Sequence, residues 1–127
     1  MVDLLEQAAD WLDGQRVAHL SKPVMYRRGE ESLEVAATVG RTVFEIDDGY
    51  GAIERFESRD FLIAAAELSV NGQPFEPATG DLIAETVGQQ TLVYEVLAPG
   101  KEPCWRYSDP QRRMMRIHTT FVGEENA

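Results

Sequence analysis

Apolar and polar residues alternate along several short segments of this chain, and this pattern constrains the fold more than any other feature. Leu33, Val35 and Ala37 are separated by single residues and followed by Thr38. A period of two is typical of a strand with one buried face, whereas an amphipathic helix repeats about every 3.6 residues. Similar short segments follow up to residue 122, with glycine, proline and asparagine turns between them. The pattern predicts a mainly β, antiparallel fold.

The beginning of the chain has a different pattern. Apolar residues there follow one stripe at helical spacing, namely Leu4, Leu5, Ala8, Trp11 and Leu12. Asp3 stands where it can cap this helix, and Pro23 forces the helix to stop. We therefore predict one domain over residues 1–127. It consists of an N-terminal α-helix over 1–20, a small antiparallel β-barrel or sandwich over 23–122, and a frayed polar tail over 123–127.

Two segments admit more than one interpretation. The run from Phe61 to Leu68 contains alanines of high helix propensity, yet it is short and bounded by turn signals, so we favour a strand. Residues 47–51 are predicted as a turn or mobile loop between strands at Thr42 to Ile46 and Ile53 to Phe56. Asn71-Gly72 is a strong hairpin signal.

The chain is acidic, and its charge argues against several classes of partner. It has 22 acidic and 12 basic residues, a formal net charge of −10. Phosphate binding needs a positive surface, so general nucleic-acid binding and anionic membrane binding are both disfavoured. The apolar run Phe61 to Ala66 is too short to cross a bilayer, and the N-terminus lacks the pattern of a signal peptide. These features predict a soluble, intracellular protein.

No catalytic or metal-binding signature is present in the sequence. His19 and His118 belong to no zinc-type pair and are predicted to be polar surface residues. Residues 49–51 lack the third glycine of a nucleotide-binding loop. Cys104 is the single cysteine, which rules out an internal disulfide and a multi-cysteine zinc site. We therefore predict no enzymatic activity, no cofactor and no metal.

One basic cluster stands out against the acidic background. It comprises Arg106, Arg112, Arg113 and Arg116, followed by His118, with Trp105 and Tyr107 as aromatic neighbours. Two interpretations stay open. The cluster contacts a nucleic acid or an acidic protein surface, or its arginines pair internally with the acidic loops.

Several stretches together resemble a known family. They are Val24 to Gly29 continuing through Ala37 to Thr42, Glu57 to Ile63, Pro77 to Ile83, and Cys104 to Pro110 continuing through Arg116 to Thr119. Across roughly residues 10–122, these stretches look like small proteins encoded in phage and prophage structural clusters. Such proteins are similar to the lambda-type head–tail joining proteins, also called connector or stopper proteins.

This resemblance implies a structural role in the virion. Proteins of this family stack as a ring between the portal–adaptor assembly and the tail, and they bring no catalytic residues. The implied partners are the portal, adaptor and tail proteins of the same phage, further copies of this chain, and DNA that passes without sequence-specific binding. The implied location is the host cytoplasm before assembly and the virion afterwards, with no membrane contact.

The same role assigns interaction residues. A mobile acidic loop over residues 47–60 would project into the DNA channel, and the arginine cluster would bind an acidic surface of a neighbouring ring. The expected interaction residues are Asp47, Asp48, Tyr50, Glu54, Glu57, Trp105, Arg106, Arg112 and Arg113. The Ser108 to Pro110 stretch is predicted as a turn that sets up the last strand. The alternatives are a tail terminator or minor tail protein, and a host binding module with a groove at Trp105.

Overall fold

The structure is a computed structural model, and it describes residues 21–126. This part of the chain contains nine strands, one 3-10 turn and no α-helix. The strands are β1 (Lys22–Arg28), β2 (Glu31–Asp47), β3 (Ile53–Ala64), β4 (Ser69–Val70), β5 (Gln73–Pro74), β6 (Leu82–Val87), β7 (Gln90–Val96), β8 (Trp105–Tyr107) and β9 (Met114–Asn126), with the 3-10 turn at Ala65–Glu67. The helix predicted over residues 1–20 lies outside the described residues.

All strand pairings are antiparallel, which confirms the predicted mainly β, antiparallel fold. β1 pairs with β2, β2 with β3, and β3 with β9. β9 also pairs with β7, β7 with β6, and β6 with β1. The order of these six strands therefore returns to its start, and we call them the strand cycle. β8 adds to β9, and β4 with β5 forms a separate two-stranded sheet at the predicted Asn71-Gly72 hairpin.

The core lies on the inward faces of the strand cycle. Val35 and Ala37 are buried, as the alternation predicts. Phe61 is fully buried, and its ring meets the ring of Tyr94 edge-on at 5.4 Å. Burial of each large side chain of this kind contributes about 1.5–3 kcal/mol to stability. The remaining buried members of this core are Val24, Tyr26, Ile63, Leu68, Ile83, Val96, Met115 and Ile117.

The prediction of a mobile loop over residues 47–60 is wrong. β2 and β3 form one long hairpin in which Asp47 pairs with Ile53 and Phe44 with Phe56. Only the residues between Asp47 and Ile53 form the turn. The apolar pair Phe44 and Phe56, with ring centroids 6.4 Å apart, is the kind of cross-strand contact that stabilises a ladder. The two short strands predicted on either side of residue 50 are therefore the ends of much longer ones.

Two further expectations need correction. The strand favoured from Phe61 to Leu68 ends at Ala64, and the alanines after it form the 3-10 turn, whose first amide donates to Arg113 O at 2.8 Å. The prediction of a frayed polar tail over residues 123–127 is wrong for residues 123–126. These residues form the end of β9, because they pair with Gln90 to Val93 of β7.

Candidate interaction surfaces

The β2–β3 hairpin continues beyond the residues that pair with the other strands of the strand cycle. Pairing of β2 with β1 ends at Ala37, and pairing of β3 with β9 ends at Arg59. We call residues 41–58 the arm, because within the described chain their strands pair only with each other. At about 3.3 Å per residue, the arm is about 20 Å long.

Side-chain hydrogen bonds order the tip of the arm. Asp47 Oδ1 accepts a hydrogen bond from the amide of Gly49 at 2.9 Å. Asp48 Oδ1 accepts from the amides of Tyr50 at 2.7 Å and Ala52 at 3.2 Å. Aspartate commonly fixes turns in this way. Tyr50 is 94% exposed at this tip, so the arm presents an ordered, solvent-facing end.

The four acidic residues predicted as interaction residues on this segment all lie on the arm and face solvent. Asp47, Asp48 and Glu54 are exposed. Glu57 is exposed as well, and it meets Arg41 at 3.5 Å in an ion pair whose members are both largely solvated. Such a surface pair adds little stability. The arm therefore carries a mostly uncompensated negative charge.

The arm joins the strand cycle at a buried carboxylate, Asp60, whose exposed fraction is 0%. Four side chains donate hydrogen bonds to it, namely Ser58 at 2.6 Å, His118 Nδ1 at 2.9 Å, Arg116 Nη1 at 2.6 Å, and Thr42. Burial acts to raise the pKa of the Asp60 carboxyl, but these hydrogen bonds outweigh it and hold the pKa well below its usual value. Asp60 is therefore a charged anchor between the arm and β9.

His118 corrects the sequence-based prediction of a surface histidine. It is only 2% exposed, it faces Asp60, and the ring of Phe44 lies edge-on to it at 5.0 Å. Arg116, assigned by sequence to the basic cluster, also binds Asp60. Ser58 and Asp60 occupy alternate positions on the outer face of β3. Polar residues at this spacing are equally typical of a solvent-facing side of a strand, so the sequence carries no local signal for the buried cluster.

Gly40 leaves room for this cluster. A Cβ at Gly40 would lie 3.2 Å from Arg116 Nη1 and 3.4 Å from Leu62 Cδ1. Contacts that close are tighter than a well-packed interior normally allows. The absence of a side chain at Gly40 therefore leaves space over β2 for the Arg116 guanidinium, which binds Asp60 on the neighbouring strand β3.

A second buried carboxylate, Asp81, lies at the start of β6. Arg28 Nε and Nη2 donate to it at 3.0 and 2.8 Å, and the Tyr26 hydroxyl and the Ala78 amide also donate. Burial acts to raise the pKa of Asp81, but these hydrogen bonds lower it below its usual value. The Gly80-Asp81 entry to β6 thus ties β1 to the loop that precedes β6.

A third buried carboxylate, Glu85, is fully buried on β6 and accepts hydrogen bonds from Arg59 Nη2 at 2.7 and 3.0 Å. Lys22 also pairs with it. Burial, together with the charge of Arg59, lowers the pKa of Lys22 below its usual value. Next to Arg59 opens a cavity of about 570 Å³ whose walls include Tyr94 and Phe121. Glu85 thus links Lys22 on β1 and Arg59 on β3 through ion pairs.

The predicted basic cluster is divided by the structure. Arg106 and Arg112 are exposed, whereas Arg116 is bound to Asp60. Trp105 is half-buried, and its ring meets that of Tyr107 edge-on at 5.0 Å, so it packs on the core instead of lining an open groove. The guanidinium of Arg112 lies 5.8 Å from the Tyr107 ring centroid.

The turn before β9 forms as predicted. Asp109 accepts hydrogen bonds from the backbone amides of Arg113 at 3.1 Å and Met114 at 2.8 Å. Arg113 itself is half-buried. The Ser108 amide donates to Met114 O at 2.9 Å, which closes the turn. The Asp109 carboxylate is thus engaged by the backbone, and within the described chain it forms no ion pair with Arg106 or Arg112.

Among residues 21–126, no group of three or more His, Cys, Asp or Glu side chains is placed to hold a metal ion. In the same part of the chain, no helix is long and apolar enough to span a membrane. Two charged, exposed surfaces of the described chain are the arm and the arginines Arg106 and Arg112 of the β8–β9 region.

The described chain is thus an antiparallel β domain with a projecting acidic hairpin. Residues 2–126 match the family model described as phage head-tail joining protein. The match covers nearly the whole chain, so this protein belongs to the phage head-tail joining protein family. No curated protein matches the sequence.

Proposed function

We propose that the chain joins the head of a phage or prophage particle to its tail, as one subunit of a ring between the portal–adaptor assembly and the tail. The family match over residues 2–126 carries this proposal. Membership makes the chain a phage structural protein and a virion component that interacts with head and tail proteins. In this proposal the chain is located in the host cytoplasm before assembly. It catalyses no reaction.

The proposed subunit is a small β-barrel, which is our interpretation of the closed order of the strand cycle. A closed cycle has few free strand edges, so copies can sit side by side without merging their sheets. Each copy would then present its arm in the same direction.

We further propose that the arms line the DNA channel and gate it. Asp47, Asp48 and Glu54 give the arm a negative surface that repels DNA phosphates, so DNA slides past without sequence-specific binding. Tyr50, exposed at the tip, is the largest side chain available to contact a neighbouring arm when the channel is shut. The ordered tip supports this role, because a short rigid hairpin can hold a fixed position in a channel.

Electron microscopy of a lysate from which this gene has been deleted tests the proposal. The expected result is filled heads lying apart from finished tails, with joined particles restored when purified protein is added. Normally joined particles in the deletion lysate would remove the joining function. Tails of uncontrolled length would instead point to a tail terminator.

A further inference from the structure

We propose that neighbouring copies of this chain contact each other side by side, through a basic turn on one copy and an acidic turn on the next. The basic turn is Arg106 with Arg112, and the acidic turn is Glu30, Glu31 and Glu34. This inference rests on the proposed ring and assigns the surfaces that hold it together.

The basic turn has no charge partner within residues 21–126. Arg106 and Arg112 are exposed, and neither forms an ion pair in this part of the chain. The nearest carboxylate in the sequence, Asp109, is engaged by the amides of Arg113 and Met114. Two uncompensated arginines on a chain of net charge −10 are a surface suited to an acidic partner.

The acidic turn has the opposite character. Glu30, Glu31 and Glu34 are exposed, and their side chains form no ion pair or hydrogen bond within the described residues. The two arginines just before them are neutralised elsewhere: Arg27 pairs with Glu125, and Arg28 with Asp81. The β1–β2 turn therefore keeps the net charge of its glutamates.

The strand order keeps the two turns apart within one copy. The acidic turn joins β1 to β2, and the basic turn precedes β9. In the six-strand cycle, β1 and β9 are three strands apart in either direction, which puts the turns on opposite sides of the molecule.

Both turns lie at the end away from the arm. Glu31 is the first residue of β2, and Asp47, at the arm's tip, is the last. The basic turn comes directly before Met114, and Met114 pairs with Ala64 at the end of β3 that is far from the arm. The basic turn therefore also lies at that end. Copies standing side by side with parallel arms would therefore bring the acidic turn of one against the basic turn of the next. A contact between unlike surfaces of identical copies closes into a ring when the rotation fits.

Charge reversal tests this contact. The variant Arg106→Glu/Arg112→Glu makes both surfaces acidic, and Glu31→Arg/Glu34→Arg makes both surfaces basic. We expect the native chain to self-associate in sedimentation experiments at low ionic strength and to dissociate with added salt. Each variant alone should self-associate at least tenfold more weakly, and an equimolar mixture of the two should associate again, because each supplies the surface that the other lacks.

Single reversals at Lys101→Glu and Glu102→Arg serve as controls, because both residues are exposed and belong to neither turn. These controls should sediment like the native chain. Circular dichroism of every variant checks that the fold is kept. Variants that associate like the native chain, or a mixture that stays monomeric, would overturn the proposed contact.

Two further readouts separate this inference from its rivals. Random-sequence duplex DNA is the probe for a nucleic-acid role; loss of DNA binding in Arg106→Glu/Arg112→Glu with unchanged self-association would assign the basic turn to DNA. Addition of each protein to the deletion lysate separates the contact from the function. If the native chain joins particles and both reversed variants do so equally well, the contact is wrong and the function stands. If even the native chain fails there, the function is wrong, and sedimentation of the mixture still decides the contact.

Discussion

Asp60 and His118 stand opposite each other in the pairing of β3 with β9, and His118 Nδ1 donates to the Asp60 carboxylate at 2.9 Å. The side chains of Thr42 and Ser58, both on the arm, bind the same carboxylate. One buried charge thus fixes the orientation of the arm against the strand cycle.

Replacement of Asp60 by asparagine should be strongly destabilising. The amide cannot accept all four hydrogen bonds, and Arg116 would lose its counter-charge in a largely buried position. Breaking a buried pair of this kind costs about 3–5 kcal/mol. Urea denaturation measures the loss, and Glu54→Gln, an exposed carboxylate on the same arm, is the matched control with an expected change under about 0.5 kcal/mol. Equal stability of the two variants would contradict the anchoring role.

The stability of the chain should fall in acid. The pKa values of Asp60 and Asp81 are lower in the folded chain than in the unfolded one. The stability from each carboxylate is therefore fully present above its unfolded pKa of about 4, and it is lost as the pH falls toward the folded value. Unfolding free energies between about pH 2 and pH 7 should show a smaller decrease below about pH 4 in Asp81→Asn than in the native chain. If the unfolding free energy of Asp81→Asn fell with pH in parallel with that of the native chain, Asp81 would be excluded as a source of the acid sensitivity.

Gly40→Ala should destabilise the chain by about 1–3 kcal/mol, the usual cost of overpacking. The new methyl group would press on the Arg116 guanidinium, which cannot move aside without leaving Asp60. Gly123→Ala is the matched control, because Gly123 also lies in a strand and a Cβ there meets nothing within 4 Å. Thermal denaturation compares the two variants, and an unchanged Gly40→Ala midpoint would mean that Arg116 is not confined.

Neutralising the arm should alter DNA retention or ejection without altering folding. The change is Asp47→Asn with Asp48→Asn and Glu54→Gln; asparagine keeps the oxygen that orders the tip. Particles joined with this variant are expected to leak DNA or to eject it more slowly, because the channel wall no longer repels phosphate. A variant with Glu76 and Glu124 changed to glutamine controls for the loss of exposed negative charge outside the arm. Normal retention and ejection would refute the channel role of the arm.

Residue alternation was enough to predict the class of fold, because half-buried strands such as β2 and β7 need one apolar face. The length of β2 was not predictable in this way. Up to Val39, the apolar residues of β2 lie on the core face. Beyond Val39 the simple alternation is lost, because Phe44 and Ile46 lie on the opposite face. Only the pairing with β3, which a linear pattern does not contain, keeps this segment extended.

The acidic residues of the arm and Tyr50 were singled out from the sequence because they stand close together along the chain. The Asp60 cluster was missed because its members come from three strands, and Arg116 and His118 are more than 50 residues from Asp60. Their charges suggested a basic surface, whereas strand pairing makes them internal partners of an aspartate. The Asp109 turn was predictable because all its hydrogen bonds are local.

The contrast between the closed strand cycle and the arm has a consequence for hydrogen exchange. Amides of β1, β7 and the first half of β9 are flanked by other strands, so we expect them to exchange with solvent only through large openings of the structure. Amides of residues 43–57 are protected only by the other strand of the hairpin and can exchange through local separation of the arm. We therefore expect two levels of protection against exchange, with the boundary between them near Asp60, where the pairing of β3 with β9 ends.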